Sequence, residues 1–438
     1  MPVDCLQKTT FHENIGDEMH ALARRLFPIH RSQTGDGLRQ TLSELKQLVP
    51  LQIEEVPSGT KVFDWEVPKE WSIRDAYISS ESGERFIDYR NSNLHVVNGS
   101  RPINARMTFG ELEANLHTVE SNPDWIPYRT CFMRDDWGFC LSQNQLQKLR
   151  AAPDQQFNVV IDSSFEDGSM SYGELLLPSK SGSGREILIY THICHPSLGN
   201  DNLSGIVVAT FLAKQLIDHD LDHSIRFAFA PATIGAIAWL ARNQESIHRI
   251  DHGLVLSLLG DSAPFTYKQS RRGNADVDRA VELLFSTEDF DGSIREFTPF
   301  GYDERQFCSP GINLPMGCLM RSPNGEFNEY HTSGDNLSFI KPKMIAESLR
   351  FCERIVHLLD QNQRFLSTNP NCEPRLGTRG IDLTTIGPAI QWLLNLADGS
   401  HDLIDVCVKS KLSFTEIQEA ARQLVKHDLI RPQDLKTS

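Results

Sequence analysis

Paired cysteines, long apolar runs and an excess of positive charge are all missing from this 438-residue sequence. Its nine cysteines are scattered and odd in number, and no Cys-x-x-Cys pair occurs, so neither a disulfide framework nor a thiolate zinc knuckle is indicated. No stretch reaches about 18 consecutive apolar residues, so no membrane-spanning helix is expected. The N-terminal residues carry acids early and lack an apolar core, which argues against a secretory signal. A reducing cytoplasm is therefore the expected location.

The charge balance is acidic. A net charge of −15 argues against a general affinity for nucleic acid, because such binding needs clustered Lys and Arg to neutralise the phosphates. The charged fraction of 23% is ordinary for a globular protein, and the length leaves room for two to four domains at about 100–200 residues each. Neither nucleic acid nor a membrane is an expected partner, and a homo-oligomer is left open.

The largest section of the chain alternates between two patterns. In residues 156–370, short apolar runs such as "EILIYTHI" and "HGLVLSLLG" alternate with helical patterns such as "GIVVATFLAKQLID". This alternation predicts an α/β layered domain with a mostly parallel central sheet. Two amphipathic helical patterns before residue 50 are assigned to the same domain, which therefore comprises residues 1–50 and 156–370.

Two further domains are predicted from changes in pattern. Residues 51–155 alternate polar and apolar residues between Pro-Ser-Gly and Asn-Gly turns, which predicts an inserted β-rich domain. Residues 371–438 contain three short helical patterns followed by "KHDLIRP", a layout typical of a winged helix. In that section Ser413 is a plausible N-cap, with Glu416 three residues later completing a capping box.

The polar stretch "YTHICHPSLGNDNLSG" directly follows the apolar run "EILIY". It places His192 and His195 at the end of a predicted strand and Asp201 at the start of the next helix. Ligands of open α/β sheets bind beyond the carboxyl ends of the strands, and histidine with carboxylate is a zinc ligand set of the catalytic type. The alternative is a polar loop in which one histidine caps the strand and the other packs on Pro196. The residues of this stretch alone leave both interpretations open.

A second polar cluster lies in "FGYDERQFCSPGINLP" and "PNGEFNEYHTSGDNL". These segments either complete the site or form a pair of solvated loops. Their polar residues are Asp303, Glu304, Arg305, Glu326, Glu329, Tyr330, His331 and Asp335. A third segment, "KQSRRG", carries Arg271, which either reaches the pocket or lies in a solvated turn.

Several long motifs resemble a bacterial aminopeptidase-like family that is remote kin of the co-catalytic zinc aminopeptidases and of glutaminyl cyclase. The resemblance rests on "THICHPSLGNDNLSG", "PATIGAIAWLARN", "YDERQFCSPGINLP" and "EYHTSGDNLSFI", and it spans nearly the whole chain, including the winged-helix tail. It implies a zinc-aminopeptidase-like α/β/α domain and either a peptidase activity or a role near polysaccharide biosynthesis. It implies no particular substrate.

Within this resemblance the metal ligands can be assigned position by position. His192 matches the first histidine of the pattern, Asp201 the aspartate that bridges two metals in the relatives, and His331 the final histidine. Tyr330 matches a tyrosine that hydrogen-bonds the oxyanion in the relatives. His195 is additional to the distant pattern and is an alternative to His192 as a ligand.

The sequence also departs from the zinc-aminopeptidase pattern. Ala232 and Thr233 in "PATIG" occupy the places of two glutamates, the first a general base and the second a metal ligand. The aspartate that ligates the other metal falls near Ser257, which cannot replace it. One zinc ion is therefore expected rather than two. With no base at 232, Glu304 and Asp303 are the candidate carboxylates for taking a proton.

The expected function is metal-dependent hydrolysis of a peptide or amide bond, by exo-cleavage of a small peptide or aminoacyl amide, in a form impaired by Ala232. Tyr330 or Arg305 would stabilise the oxyanion, and Asp303, Glu304 or Glu329 would hold an α-amine. Arg305 and Arg271 are further candidates for substrate binding. The alternatives are a non-catalytic pseudo-peptidase that binds a peptide or other ligand, and a single-zinc enzyme that forms or cyclises amides. DNA binding through the winged helix is not expected of so acidic a chain.

Overall fold

The computed structural model describes residues 14–132, 134–153, 155–379, 381 and 383–433. The helices of these residues are α1 (Ile15–Leu26), α2 (Asp36–Lys46), α3 (Phe109–Leu112), α4 (Gln143–Arg150), α5 (Gly205–Leu216), α6 (Ile234–Arg242), α7 (Asp276–Thr287), α8 (Glu304–Phe307), α9 (Pro342–Gln361), α10 (Leu383–Leu396), α11 (Leu403–Ser410) and α12 (Phe414–Lys426). The strands are β1 (Gln52–Pro57), β2 (Lys61–Val62), β3 (Trp65–Glu66), β4 (Glu70–Ser79), β5 (Arg85–Asp88), β6 (Ile103–Met107), β7 (Leu116–His117), β8 (Phe139–Cys140), β9 (Phe157–Glu166), β10 (Ser169–Leu177), β11 (Glu186–His192), β12 (Ser224–Ala230), β13 (Ile250–Leu256), β14 (Phe265–Lys268), β15 (Gly292–Arg295), β16 (Met316–Met320), β17 (Arg364–Ser367), β18 (Asp398–Asp402) and β19 (Ile430–Pro432).

An eight-stranded sheet runs through the first compact unit, residues 1–273 and 292–352. Its strand order is β1-β10-β12-β11-β13-β16-β14-β15, and the four central strands β12, β11, β13 and β16 are parallel. Every residue of β11 is buried, as expected for a central parallel strand whose two faces are both covered. The helix α5, which follows β11 in the chain, packs against it. The predicted mostly parallel central sheet is confirmed.

The parallel strands bring three connecting loops to one edge of the sheet. In the pairing of β11 with β12, His192 lies beside Ala230, and in the pairing of β11 with β13, Thr191 lies beside Leu256. The segments that begin at residues 193, 231 and 257 therefore leave the sheet next to one another. This edge is where ligands bind in open α/β sheets.

A smaller antiparallel sheet, with the order β5-β4-β9-β6, belongs to the same compact unit. It covers its own apolar core, which includes Trp71, Ile78, Phe139 and Phe157. The strand β1 pairs with β10 in the central sheet, while β9 pairs with β4 in the smaller one. These pairings separate the two sheets. The boundaries predicted from the sequence, with an inserted domain at residues 51–155, stay a proposal.

The second compact unit comprises residues 274–291 and the chain from residue 353 onward. Within it, α10, α11 and α12 pack together, and β18, β17 and β19 form a small antiparallel sheet. Ser413 begins α12 with the predicted capping box: its hydroxyl accepts the Glu416 amide at 3.3 Å, and the Glu416 carboxylate accepts the Ser413 amide at 2.9 Å. The predicted C-terminal winged helix is confirmed. Within the described ranges, every helix is too short or too polar to span a bilayer.

Candidate metal centre

The predicted metal ligands surround a single buried carboxylate, that of Asp201. Its Oδ1 lies 2.8 Å from Nε2 of His192, and its Oδ2 lies 2.9 Å from Nε2 of His331. The Nε2 atom of His195 lies 3.8 Å from the same Oδ2. Asp201 and His192 are fully buried, whereas one third of the His331 side chain is exposed. The structure therefore brings both candidate histidines, His192 and His195, to the same carboxylate.

The loop that carries Asp201 is held in place by its neighbours. The Asp335 carboxylate accepts the backbone amides of Asn200 and Asp201, the latter at 2.8 Å. The Asn202 amide group donates to Thr191 Oγ1 at 2.8 Å and to the His192 carbonyl at 3.0 Å. The Asn200 amide group donates to a further aspartate, Asp261. Both asparagines that flank Asp201 are therefore fixed by hydrogen bonds to neighbouring segments. The Asp201 side chain is left to face the imidazoles.

The charges at this centre suit a metal ion. Burial alone would raise the pKa of the Asp201 carboxyl, but the imidazoles of His195, His192 and His331 hold that pKa well below its usual value. Burial lowers the pKa of His195 to about 3, so this imidazole is neutral. Metal binding requires an ionised carboxylate and neutral imidazoles, and the pKa shifts of Asp201 and His195 favour these forms.

The donor set itself fits zinc. One ligand atom from each of His192, His195 and Asp201 lies within 4.8 Å of the other two. Imidazole nitrogen and carboxylate oxygen are zinc ligands, and three protein ligands with one open position are typical of catalytic sites. That a single ion is held here stays a prediction.

The two candidate proton acceptors differ in their partners. Asp303 is buried, and its Oδ2 accepts the hydroxyl of Tyr190 at 2.9 Å. Burial raises the pKa of Asp303 to about 6, although His192 and the Tyr190 hydrogen bond act in the opposite direction. Glu304 is also fully buried, but its carboxylate forms an ion pair with the Lys268 ammonium group. Asp303, not Glu304, is therefore the carboxylate associated with the histidines.

At the end of β12, the place of the expected base is occupied by a methyl group. The carbonyl of Ala232 accepts the side-chain amide of Gln33 at 3.4 Å. Next to it, Nη2 of Arg305 donates to Thr233 Oγ1 at 3.4 Å. The Nε atom of Arg305 is buried and has no hydrogen-bond partner among the described residues. The Arg305 guanidinium group, whose Nε has no partner among the described residues, thus lies beside Ala232, where a carboxylate was expected.

The other predicted substrate-binding residues lie in different surroundings. Tyr330 stacks on His331, with ring centroids 4.0 Å apart and an interplanar angle of 12°. The Glu329 carbonyl accepts the Thr332 amide at 3.0 Å, and the Glu329 side chain lines a surface cavity with Trp125. Arg271 is exposed and donates to Asn313 Oδ1 at 3.4 Å. This contact fits the alternative of a solvated turn, and a role of Arg271 in substrate binding stays a prediction.

Three residues near the centre were not predicted. Arg31 is fully buried, and its Nε donates to the His195 carbonyl at 2.8 Å. The ring of Tyr128 lies 5.1 Å from the rings of both His195 and His331. Tyr302 stacks on His192, with ring centroids 5.1 Å apart. Tyr302 lies in the quoted segment "FGYDERQFCSPGINLP", which carried a signal, whereas Tyr128 lies in the section predicted to be an insertion and carried none.

Comparisons with known proteins give matches over nearly the whole chain. The family model described as Domain of unknown function (DUF4910) matches residues 20–362, and a winged helix-turn-helix model matches residues 363–432. A Clostridium acetobutylicum protein, whose name describes a polysaccharide biosynthesis protein with an aminopeptidase-like domain, is 44% identical over 424 residues, which cover 95% of this chain and 96% of that protein.

Solved structures are similar as well. A crystal structure described as that of a peptidase from Clostridium acetobutylicum superposes with a TM-score of 0.90 at 44% identity, over 95% of this chain and 96% of that one. A zinc aminopeptidase from Bacillus subtilis superposes with a TM-score of 0.57 at 13% identity, over 79% of this chain and 94% of that one. The second likeness concerns the fold alone.

Proposed function

We infer the function from one premise: the chain belongs to the family described as Domain of unknown function (DUF4910). We propose that it is a zinc-dependent hydrolase of peptide or amide bonds, acting in the manner of an aminopeptidase on a small peptide or aminoacyl amide. The observation that carries the proposal is the convergence of three imidazoles on the Asp201 carboxylate, at the carboxyl edge of an aminopeptidase-like sheet. The name of the 44%-identical relative supports it.

Asp201, His331 and one of His192 or His195 would hold the ion, which leaves the fourth position open. Zinc bound by such a set supplies a Lewis acid for a carbonyl oxygen. The chain positions these ligands through Arg31, whose guanidinium group fixes the backbone at His195. Partners of this kind, which orient the ligands from outside, commonly matter for metal affinity.

Asp303 is the proton acceptor in this proposal. Its Oδ2 is engaged by the Tyr190 hydroxyl, so a proton would be taken at Oδ1. Burial raises its pKa to about 6, and a general base works best when its pKa is near the operating pH. Asp303 would thus do the work for which Ala232 has no suitable group.

Arg305 and Tyr330 would bind the oxygen on which negative charge develops. The buried Nε of Arg305 has no partner among the described residues, and such an unsatisfied donor is costly unless a ligand accepts from it. The Tyr330 ring is held flat against His331. Donors prearranged in this way stabilise an oxyanion more than they stabilise a neutral carbonyl.

Ala232 favours a second candidate, a ligand-binding protein that retains the metal centre without catalysis. A positioned general base typically contributes 10²–10⁴-fold to a rate, and the methyl group at this position cannot contribute it. Under this candidate the zinc and the pocket would serve to hold a peptide or amide, and Asp303 would not act on a proton.

The test measures zinc content and cleavage of a panel of aminoacyl amides and short peptides by the full chain, by Ala232→Glu and by Ala232→Gln. The glutamine variant is the matched control, since it has the same length but no basic carboxylate. Under the proposal the chain cleaves at least one substrate, and Ala232→Glu is faster while Ala232→Gln is not; the gain is smaller than the roughly 10²–10⁴-fold of a general base, because Asp303 already accepts the proton. Zinc-loaded protein that cleaves nothing in either the original or the glutamate form would overturn the proposal in favour of ligand binding.

A further inference from the structure

A second group of metal-binding side chains lies at the opposite edge of the central sheet from Asp201. His223 directly precedes β12, and Asp251 and His252 are the second and third residues of β13. Both strands run parallel to β11, so these residues stand where the strands begin, not where they end. A strand of seven residues spans roughly 20 Å, so the group is a separate site and not an extension of the Asp201 centre.

The three side chains converge closely. One ligand atom from each of His223, Asp251 and His252 lies within 4.8 Å of the other two. The Nε2 atom of His223 is 3.9 Å from Asp251 Oδ2, which is too long for a hydrogen bond, and the two imidazole rings lie 5.5 Å apart. Both histidines are buried, whereas the Asp251 side chain is 35% exposed. A gap of this size between donors is what an intervening ion requires.

A backbone irregularity makes the convergence of neighbouring residues possible. Consecutive side chains of a regular strand point to opposite faces of the sheet. Here Glu186 of β11 pairs with Ile250 and the next residue, Ile187, pairs with His252, so that Asp251 is passed over. Such a bulge re-aims the side chain of the extra residue. It allows Asp251 and His252 to present their ligand atoms to one point.

His252 has a nitrogen that nothing in the described structure uses. Its Nδ1 is buried and has no hydrogen-bond partner among the described residues. A buried ring nitrogen without a partner is a candidate ligand atom, because imidazole nitrogen binds zinc.

A cation also neighbours the group. Arg185 forms an ion pair with Oδ2 of Asp251 through its Nε, which leaves Oδ1 available. An arginine in this place orients the carboxylate, as outer partners of metal ligands commonly do. Its positive charge also opposes a second cation. We therefore expect weaker binding here than at the Asp201 centre.

We propose that His223, Asp251 and His252 bind a divalent transition-metal ion, with zinc the best match, and that the bound ion ties the start of β12 to the start of β13. Two imidazoles and a carboxylate form a three-ligand set that zinc accepts, with water at the fourth position. Nothing in the proposal depends on catalysis at Asp201.

The experiment counts zinc atoms per full-length chain after equilibrium dialysis against buffered free zinc, for the original protein, Asp251→Asn and His252→Asn. Asp251→Asn is the conservative variant, because it keeps the shape of a half-exposed side chain. His248→Asn is the matched control, since it removes an imidazole nearby in the chain but outside the group. Circular dichroism and elution volume show which variants are folded.

The expected result is one zinc fewer per chain in each folded cluster variant and no change in His248→Asn. Because the result is a difference, it holds whether the Asp201 centre takes one ion or two. An unchanged count in folded Asp251→Asn would overturn the proposal. Crystals soaked in zinc give an independent answer: an anomalous peak between His223 and His252 is expected, and its absence in a crystal that shows a peak at Asp201 would also overturn it.

Discussion

The strands β11 and β12 lie side by side and run parallel, with His192 next to Ala230, yet their carboxyl ends carry different chemistry. The chain after β11 supplies His195 and Asp201 to the metal centre. The chain after β12 supplies the methyl group of Ala232 and no ligand. A sheet determines where its loops meet, but the residues of each loop determine what they can bind. The aminopeptidase-like fold alone therefore does not make this chain a two-metal enzyme.

The segment of residues 31–33 contacts the chain beyond both strand ends, and its contacts with the two differ. The Arg31 guanidinium group donates to the His195 carbonyl at 2.8 Å, below the ligand-bearing loop. Two residues later, the Gln33 amide group reaches the Ala232 carbonyl at 3.4 Å. The first contact is made by a charged group, and the second is long and neutral. Substitutions of Arg31 and of Gln33 test this difference between the two contacts.

Removing the central carboxylate should have the largest effect. Asp201→Asn keeps the shape of the side chain but takes away the negative charge that three imidazoles face. We expect zinc affinity at this centre to fall by more than the 10–100-fold typical of an outer partner, and cleavage to be lost with it. Metal analysis after dialysis measures the change, with the exposed Asp218→Asn as control. His331→Asn, at a partly exposed ligand, should also lower zinc affinity, and full zinc retention in both variants would show that Asp201 is not the ligand.

The next largest effect tests whether Asp303 replaces the base that is absent at the end of β12. Asp303→Asn should lower the cleavage rate by roughly 10²–10⁴-fold and leave the zinc content unchanged, because Asp303 takes a proton but holds no metal. Tyr190→Phe is the milder variant, since it removes only the hydrogen bond to Oδ2. Steady-state rates on a substrate found with the panel measure both changes. A rate in Asp303→Asn equal to that of the original chain would assign the proton to another group.

The sequence permits prediction of the central sheet and of the side chains that meet at Asp201, but not of the residues that support them. Short apolar runs such as "EILIYTH" predict buried parallel strands because a strand covered on both faces needs no alternation. His192 and Asp201 are close in the chain, so their spacing reveals a site. Tyr128 reaches the same imidazoles from the smaller sheet's section, and no local pattern encodes that distance. The pairing of Glu304 with Lys268 likewise depends on packing between remote segments.

Substitutions of Arg31 and Gln33 compare the supports of the two strand ends directly. Arg31→Met leaves the His195 carbonyl without its donor, which costs about 1–3 kcal/mol, and the Leu26 carbonyl keeps only the Ile29 amide. We expect a lower melting temperature and a 10–100-fold loss of zinc affinity. Gln33→Leu should cost less than about 1 kcal/mol and leave zinc affinity unchanged, because its hydrogen bond is neutral and long. Equal effects of the two substitutions would refute the proposed difference between the strand ends.

The smallest expected effect concerns His30. Its imidazole is buried next to these contacts, and it is not one of the candidate metal ligands. Burial, followed by the charge of Arg31, lowers the pKa of His30 to about 3 from 6.5. Between these values the unfolded chain binds a proton that the folded chain does not. The contribution of His30 to stability is therefore complete above pH 6.5 and is lost as the pH falls toward 3.

His30→Asn should flatten the pH dependence of the free energy of unfolding in this window. The loss of stability that His30 causes, and that the variant avoids, is about 1 kcal/mol at pH 6 and grows by up to about 1.4 kcal/mol for each pH unit below that. Urea titrations of metal-free protein between pH 7 and 4 measure the slope, and the zinc ligands then contribute equally to all variants. Tyr89→Phe is the control, because it removes the partner of His30 Nδ1, 2.6 Å away, but keeps the imidazole. It should retain the steep slope of the original chain. If His30→Asn leaves the slope unchanged, the acid sensitivity resides in other buried groups, including the candidate metal-ligating histidines. His30 would then not differ from those histidines in its effect on stability.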